Sequence, residues 1–300
     1  MAAAGRLPRP PPTTPTITKG VTWGLDMAQQ SGRVAGRVCV VTGAARGIGR
    51  AIGEALVAEG ARVCFADVNG AQVATVAEAA GASTNGTGGA AMAAEVDVRD
   101  RAQVREMIDR VVERWGRLDV KFNNAGVNRP MNFMDVTEDN WNFIMGVNGL
   151  GCLIGMQEAA RQMIAQGRDA NGVAGKIVNT ASIASRQGFD NVAPYCASKF
   201  AVVSLTQSGA RDLARHGITV TGFAPGVVAT EMWEQVDRDL MEIGAAERPG
   251  QAMEEFSAEI LKGRVAQPGD ITGTTTFLAS RDSDYMTGQI VMIDGGMTLV

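Results

Sequence analysis

A short apolar run at residues 37–42 is followed at once by a glycine-rich turn at 43–49, and then by apolar residues that recur every three or four positions. This order predicts a strand, a tight turn and a helix. Glycines let the backbone approach a ligand closely, and the unpaired N–H groups that begin a helix attract phosphate. The sequence therefore predicts a pyrophosphate cradle, with contacts from Gly43, Arg46, Ile48 and Gly49.

A second apolar run, residues 62–67, ends in a carboxylate, Asp67, which lies 18 residues beyond Gly49. At the end of the next parallel strand, a carboxylate accepts hydrogen bonds from the adenosine ribose and repels a 2′-phosphate. This favours NAD(H) over NADP(H). Arg46 in the glycine turn is a contrary signal, because a cation there could bind a 2′-phosphate.

The alternation of strands and helices continues along the chain. Residues 91–98 read as a third strand, 104–115 as an amphipathic helix and 120–123 as a fourth strand, and later strand-like runs bring the total to about seven. Such alternation predicts an α/β fold, a doubly wound parallel sheet with helices on both faces. Ligands bind at the carboxyl edge of such a sheet. Further cofactor contacts are therefore expected from Asp97, Val98, Asn124 and Gly126.

The length of the chain fits one such domain and a tail. At 300 residues and 45% hydrophobic content, a full core can form. Residues 1–33 are rich in proline, alanine and threonine without apolar periodicity, and we expect them to be disordered. Met27 is a candidate initiator. The catalytic domain is expected to span 34–300.

Charge and cysteine usage exclude several classes of function. The net charge of −4 leaves no basic patch for nucleic acid, and the chain has no long uncharged apolar run for a membrane, so a cytoplasmic protein is expected. The four cysteines lack CxxC spacing and are expected to be buried free thiols. With His216 as the single histidine, we expect no catalytic metal.

Tyr195 and Lys199 are four residues apart in a stretch with helical apolar spacing, so both side chains should project from one face. An ammonium beside a phenol favours the phenolate. We therefore expect Lys199 to lower the pKa of Tyr195 and to make it a proton donor and acceptor near neutral pH.

Three motifs occur in order: Thr-Gly-x-x-x-Gly-Ile-Gly at 42–49, Asn-Asn-Ala-Gly at 123–126 and Tyr-x-x-x-Lys at 195–199. Together they resemble the short-chain dehydrogenase/reductase family, over residues 37–300. The resemblance implies a single Rossmann-type domain, a nicotinamide cofactor and a homotetramer.

The resemblance also implies four catalytic residues. Tyr195 would be the general acid for ketone reduction and the base for alcohol oxidation, and Ser182 would bind the substrate oxygen. Lys199 would lower the pKa of the tyrosine and bind the nicotinamide ribose. Asn148 would hold a water in a proton relay to solvent.

Downstream of these residues, the family pattern implies nicotinamide contacts and a substrate lid. The implied cofactor contacts are Tyr195, Lys199, Pro225, Gly226, Val228 and Thr230. Residues 231–264 would form the variable lid, in which Trp233 is a candidate cavity wall. The stretch 166–175 is expected to be a surface insertion away from the chemistry.

Trp233 together with residues 284–289 and 294–297 resembles the branch of meso-2,3-butanediol dehydrogenases, acetoin (diacetyl) reductases and polyol dehydrogenases. Substrate contacts are expected from Ser182, Ile183, Phe189, Tyr195 and Trp233. Ile183 and Phe189 are apolar where a diol site should offer a hydrogen-bonding partner. A more hydrophobic secondary alcohol or ketone is therefore an alternative substrate.

The prediction is an NAD(H)-dependent alcohol dehydrogenase or carbonyl reductase that acts on a small molecule. Three alternatives remain at this point. A 3-oxoacyl thioester reductase would need NADPH and a basic entrance, whereas the lid is acidic. A nucleotide-sugar epimerase or dehydratase usually needs a larger C-terminal part. A catalytically silent NAD-binding regulator would be expected to lack part of the tetrad.

Overall fold

The computed structural model describes residues 32–84 and 86–299. Its strands are β1 Val38–Thr42, β2 Arg62–Asp67, β3 Ala90–Glu95, β4 Val120–Asn123, β5 Gly175–Thr180, β6 Ile218–Pro225 and β7 Ile290–Ile293. Its α-helices are α1 Gly47–Ala58, α2 Gly70–Ala82, α3 Arg101–Trp115, α4 Glu138–Ile144, α5 Gly151–Gln166, α6 Ala193–Leu213, α7 Glu231–Glu242, α8 Gln251–Ser257 and α9 Pro268–Ala279. A π-helical turn, Met145–Leu150, joins α4 to α5.

The strands form one parallel sheet in the order β3-β2-β1-β4-β5-β6-β7. The predicted doubly wound parallel fold is confirmed. The chain winds outward from β1 in one direction and from β4 in the other. Loops that follow these two strands therefore part at the carboxyl edge and leave a crevice there, which is where open α/β sheets bind ligands.

Helices cover both faces of the sheet. On one face, α3, α5 and α6 contribute residues such as Ile108, Met163 and Val202 to a buried core. On the other face, α1, α2 and α9 contribute residues such as Ile52 and Leu278. Burial on both faces explains why the strands read as continuous apolar runs and do not alternate with polar residues.

Two lysines interrupt these apolar strands. Lys121 in β4 is completely buried, and its Nζ donates to the carbonyl of Phe122 at 3.1 Å. Lys176 in β5 is also buried, but its Nζ lies 2.7 Å from a carboxylate oxygen of Asp284. One buried ammonium is therefore paired with a carboxylate. Among residues 32–84 and 86–299, the other is bonded to a carbonyl oxygen and has thiols near it, but no carboxylate partner.

Residues 1–31 of the tail that we expected to be disordered, with the candidate initiator Met27, lie outside the described residues. At the end of that tail, Arg33 pairs with Glu59 at 2.8 Å. In the part of the chain that the structure describes, no helix is both long and apolar enough to cross a bilayer. The same residues contain no cluster of three or more potential metal ligands. All four cysteines are buried and unpaired, as predicted, and burial raises the pKa of Cys64 and Cys152 to about 12.

The segment predicted as a surface insertion is the loop 167–174, which connects α5 to the start of β5. Asp169 accepts hydrogen bonds from the main chain of Asn171 and Val173 and pairs with Arg281 at 3.2 Å. The loop lies at the amino edge of the sheet, opposite the edge where the predicted site residues lie.

Candidate active site

The glycine turn is packed against the loop that follows β4. Gly43 has a φ of 67°, and a Cβ there would lie 2.8 Å from the Cα of Ala125. A Cβ on Gly49 would lie 2.1 Å from the carbonyl oxygen of Gly43. Asn124 holds the two loops together, because its Nδ2 donates to the carbonyl of Thr42 at 3.0 Å. Only glycine fits at these two turn positions.

Helix α1 begins inside this turn. Arg46 is its N-cap residue and, among the described residues, makes no side-chain capping hydrogen bond. The first N–H groups of α1 therefore remain available to a ligand. Together with the glycine backbone they form a cradle that favours an anionic group such as a pyrophosphate.

Two carboxylates stand at the ends of the next strands. Asp67 accepts from the N–H of Ala45 at 3.1 Å, so its carboxylate lies against the glycine turn. Asp97 pairs with Arg99 at 2.6 Å, and hydrogen bonding from Arg99 lowers the pKa of Asp97. Asp67 is therefore the carboxylate that has no arginine bound to it within the described residues.

A cavity of about 420 Å³ runs from the glycine turn to Tyr195. Most of the predicted cofactor contacts line it, and they are Gly43, Arg46, Ile48, Gly49, Asp67, Asp97, Val98, Asn124, Gly126, Tyr195, Lys199, Pro225 and Thr230. We call this space the cofactor cavity. Its walls come from the ends of β1 to β6, as expected for a ligand that crosses the carboxyl edge of the sheet.

Two predicted cofactor contacts lie elsewhere. Gly226 is part of the wall of a second cavity. The Val228 side chain is buried in the core shared with α1 and α9, and its main chain forms a single bridge to Ala266. Val228 could reach a cofactor only through its main chain. Burial of this side chain depends on the packing of the loop after β6, which strand spacing does not reveal.

Tyr195 and Lys199 lie on the first turns of α6, and the Lys199 Nζ is 5.5 Å from the centre of the Tyr195 ring. Lys199 is buried, and its Nζ donates to the carbonyl of Thr180 at 2.9 Å. Burial lowers the pKa of Lys199 to about 8, so the ammonium is still the main form at pH 7.

The pKa of Tyr195 is raised in the structure, contrary to the expectation that its lysine neighbour would lower it. Burial of the phenol is the largest cause, and a hydrogen bond with the Ser182 side chain opposes it. Ser182 lies just after β5, where its Oγ also accepts from the N–H of Ala184 at 3.2 Å. The spacing of Tyr195 and Lys199 gave their relative position correctly but contained no information on burial.

Asn148 lies in the π-helical turn and is buried. Its Oδ1 accepts from the N–H of Val127 at 2.8 Å, and its Nδ2 donates to the Val127 carbonyl and to Ser198 Oγ, both at 2.9 Å. Asn148 thus fixes the loop after β4 to α6. Both protons on Nδ2 are used in this way. A water in a proton relay would therefore contact Oδ1 or the main-chain carbonyl oxygen of Asn148.

A second cavity, of about 570 Å³, adjoins Tyr195 on the side of α7 and α8. All five predicted substrate contacts line it, and they are Ser182, Ile183, Phe189, Tyr195 and Trp233. We call it the substrate cavity. Phe256 joins the wall, and its ring centre lies 5.6 Å from those of both Phe189 and Trp233. Tyr195 and Met232 line both cavities.

Sequence reasoning missed part of both walls. In the cofactor cavity it missed residues such as Arg99, Phe143, Thr180 and Glu231, and in the substrate cavity it missed Asn128, Gln187, Asp190, Asn191, Met232, Val236, Leu240, Glu255, Phe256, Glu259 and Met297. Thr180 and Asn128 could have been found, because they end β5 or closely follow β4. Met297 closely follows β7 and carries the same signal, whereas the residues of α8 carry none.

Comparison with known proteins decides the family. A family profile described as enoyl-(acyl carrier protein) reductase matches residues 43–298. The L-2,3-butanediol dehydrogenase of Corynebacterium glutamicum is 43% identical over 203 residues, which are 67% of this chain and 76% of that protein. The sorbitol dehydrogenase of Cereibacter sphaeroides is 40% identical over 242 residues, or 81% and 90% of the two chains.

A solved structure agrees. A short-chain type dehydrogenase/reductase from Mycobacterium marinum superposes with a TM-score of 0.78 at 32% identity, covering 89% of this chain and 97% of that one. The chain belongs to the short-chain dehydrogenase/reductase family. It is therefore an oxidoreductase that uses a nicotinamide cofactor. The glycine turn, the uncapped start of α1 and the cavity that leads from them to Tyr195 fit such a cofactor.

Proposed function

We propose that this short-chain dehydrogenase/reductase interconverts a secondary alcohol and its ketone with NAD(H). The observation that carries the proposal is the position of Tyr195, which borders both the cofactor cavity and the substrate cavity. A group at this junction can exchange a proton with a substrate oxygen while the neighbouring carbon faces the cofactor. The relatives named as butanediol and sorbitol dehydrogenases support this reaction type.

Each residue of the tetrad has a role in the proposal. Tyr195 protonates the carbonyl oxygen in reduction and removes the hydroxyl proton in oxidation. Ser182 donates a hydrogen bond to the same oxygen and stabilises its developing negative charge. The Lys199 ammonium stabilises the phenolate and binds the nicotinamide ribose. Asn148 positions α6 relative to the loop after β4 and borders the proton path. When bound, the nicotinamide supplies or accepts the hydride.

The proposal is tested by absorbance at 340 nm with NADH and with NADPH, against diacetyl, acetoin, cyclic ketones, aryl ketones and sugars. We expect turnover with small ketones and a preference for NADH. A chain that binds NADH but reduces none of these compounds would instead support the catalytically silent regulator.

Asp67 carries the preference for NAD(H) in this proposal. Asp67→Asn keeps the shape of the side chain but removes the negative charge that repels a 2′-phosphate. We expect the ratio of kcat/KM for NADPH to that for NADH to rise by about tenfold or more, which corresponds to about 1.4 kcal/mol. The exposed Arg46, which lines the same cavity, would then bind the phosphate.

Asp97→Asn is the matched control for this experiment. Asp97 lines the same cavity, but its charge is already paired with Arg99. From the end of the third strand its carboxylate could reach the amino group of the adenine, which NAD and NADP share. The substitution should affect both cofactors equally. An unchanged ratio in Asp67→Asn, or an equal rise in Asp97→Asn, would contradict the role given to Asp67.

The substrate cavity disfavours the alternative of a 3-oxoacyl thioester reductase. Three carboxylates, Asp190, Glu255 and Glu259, lie in its wall, and among the described residues that line it there is no lysine, arginine or histidine. A phosphopantetheine carrier is anionic and would meet repulsion there. A neutral small molecule fits the charge of this wall better.

The domain limits, assembly and location are further parts of the proposal. Residues 231–264, which include α7 and α8, act as the substrate lid of a catalytic domain that spans 34–300.

Copies of the chain assemble as a homotetramer. The nearly half-exposed Leu150, which borders an apolar groove with Leu153 and Leu205, supports this assembly. A cytoplasmic location is consistent with the four buried free thiols. Light scattering after size exclusion measures the assembly.

A further inference from the structure

The two sides of the substrate cavity differ in character. The lid side carries the apolar and aromatic side chains of Trp233, Val236, Leu240 and Phe256, together with the carboxylates of Glu255 and Glu259. The opposite side comes from the loops after β4 and β5 and carries amide side chains, among them Asn128, Gln187 and Asn191. Ser182 and Tyr195 stand between the two sides. A substrate held at Tyr195 therefore has apolar and acidic side chains on one side and amide side chains on the other.

Asn128 is distinguished by an amide that is not used within the protein. Its Oδ1 is shielded from solvent and accepts no hydrogen bond from residues 32–84 or 86–299, and its Nδ2 donates to none of them. By contrast, Asn124 and Asn148 in the same region are bonded through both ends of the amide. A shielded polar atom without a hydrogen-bond partner destabilises the folded protein. Such an atom in a cavity wall is explained if a ligand completes its hydrogen bonding.

Asn128 also shares a cavity with Ser182 and Tyr195. It follows Gly126 by two residues, and a Cβ on Gly126 would lie 3.6 Å from Lys199 Nζ. Two residues of chain span at most about 7 Å. Because Ser182 and Tyr195 line the same cavity, a small substrate bound to their hydroxyl groups can extend to the Asn128 amide.

The loop that carries Asn128 is fixed on both sides of it. The preceding residue, Val127, is held by Asn148 through its N–H and its carbonyl. Beyond Asn128, the N–H of Met131 donates to the carbonyl of Asn191 at 2.7 Å. Asn191, which accepts this bond, has a φ of 62°, a left-handed conformation that residues other than glycine rarely adopt. An amide on such a braced loop is preorganised for a ligand.

We propose that Asn128 is a specificity-determining residue, whose amide binds a second oxygen of the substrate beside the carbonyl that reacts. An amide can donate to a hydroxyl or a carbonyl oxygen and, after rotation, accept from a hydroxyl. The class selected is a ketone or alcohol with a neighbouring oxygen. Ile183 and Phe189 provide no such partner, and Asn128 supplies it from a different loop. The inference rests on the proposed alcohol and ketone chemistry.

The test compares acetoin with 2-butanone, which differ by one hydroxyl group. In the wild type, kcat/KM with NADH should be higher for acetoin. Asn128→Leu replaces the amide by an apolar group of similar size. It should lower kcat/KM for acetoin by about tenfold or more, the effect of losing one hydrogen bond in a shielded site, and leave 2-butanone nearly unchanged. Asn128→Gln should restore part of the preference.

Asn132→Leu is the control, because Asn132 is exposed on the same loop as Asn128 and lines neither of the two cavities. Its acetoin preference should equal that of the wild type. NADH affinity, measured by fluorescence, and melting temperature should be the same in all variants. An acetoin preference that persists in Asn128→Leu would overturn the proposal.

A measurement without turnover separates this inference from the proposed function. In the presence of NADH, 2,3-butanediol should raise the melting temperature more than 2-butanol does, and Asn128→Leu should remove that difference. If the wild type reduces neither ketone but shows this result, the proposed reaction is wrong and the role of Asn128 stands. If 2,3-butanediol and 2-butanol raise the melting temperature equally in the wild type and in Asn128→Leu, the role of Asn128 is rejected.

Discussion

Tyr195→Phe is expected to lower kcat for ketone reduction by about 10²–10⁴-fold and to leave NADH affinity nearly unchanged. Removal of one positioned acid or base typically costs that much in rate. The ring remains, so the packing at the junction of the two cavities is preserved. Only the phenolic oxygen, which lies beside Ser182, is lost. Initial rates at 340 nm and NADH binding by fluorescence measure the two effects.

The chain provides a matched control for this substitution, because Tyr285 is its only other tyrosine and is fully exposed. Tyr285→Phe should have wild-type rates. Retention of more than a tenth of the activity in Tyr195→Phe would reject the assignment of Tyr195 as acid and base. A loss of NADH binding of the same size as the loss of rate would point instead to a role in cofactor binding.

Lys121→Met is expected to stabilise the protein at pH 7 by about 2–5 kcal/mol. Burial lowers the pKa of Lys121 from 10.5 to about 7. Each pKa unit of difference between the folded and unfolded states corresponds to about 1.4 kcal/mol of stability. Relaxation of the buried site reduces the total destabilisation. Methionine has a similar length and no charge to desolvate. Denaturation by urea at fixed protein concentration measures the change.

The pH dependence gives a second readout. The pKa of Lys121 is lower in the folded protein, so the unfolded chain binds its proton more strongly between pH 7 and about 10. The destabilisation by Lys121 is therefore complete below pH 7 and decreases as pH rises through this window. Lys199, Cys64 and Cys152 also titrate differently in the folded state, so the relevant quantity is the difference between Lys121→Met and the wild type. That difference should shrink between pH 7 and pH 9.

Lys176→Met is the control with the opposite sign. Lys176 is as buried as Lys121, but it pairs with Asp284 at 2.7 Å and donates to Ser283 at 3.0 Å. Its removal leaves the carboxylate of Asp284 without its partner, which is destabilising. Stabilisation by both substitutions, or by neither, would show that pairing does not decide the effect.

The sequence was sufficient to predict the strands and the positions at their ends. The carboxyl ends of parallel strands share one edge of the sheet, so Gly43, Asp67, Asp97 and Asn124 could be placed together from their order alone. The spacing of Tyr195 and Lys199 on one helix was equally informative. These features depend on local periodicity and on topology, which short-range patterns determine.

What the sequence could not give depends on burial and on contacts between distant segments. The raised pKa of Tyr195 follows from how deeply α6 places the phenol. The buried side chain of Val228 follows from the packing of the loop after β6. Asn128 becomes a candidate contact only because the facing loop at Asn191 and the lid enclose the space beside it. None of these three facts has a signature in residue spacing.

Tyr195 and Met232 each border both cavities, so the two ligands share a wall. Whatever fills the first space becomes part of the boundary of the second, and Met232 lies near the start of α7. The two ligands should therefore bind in a compulsory order, in which the nucleotide binds before the substrate and dissociates after the product. Product-inhibition patterns would then be competitive between the oxidised and reduced nucleotides alone.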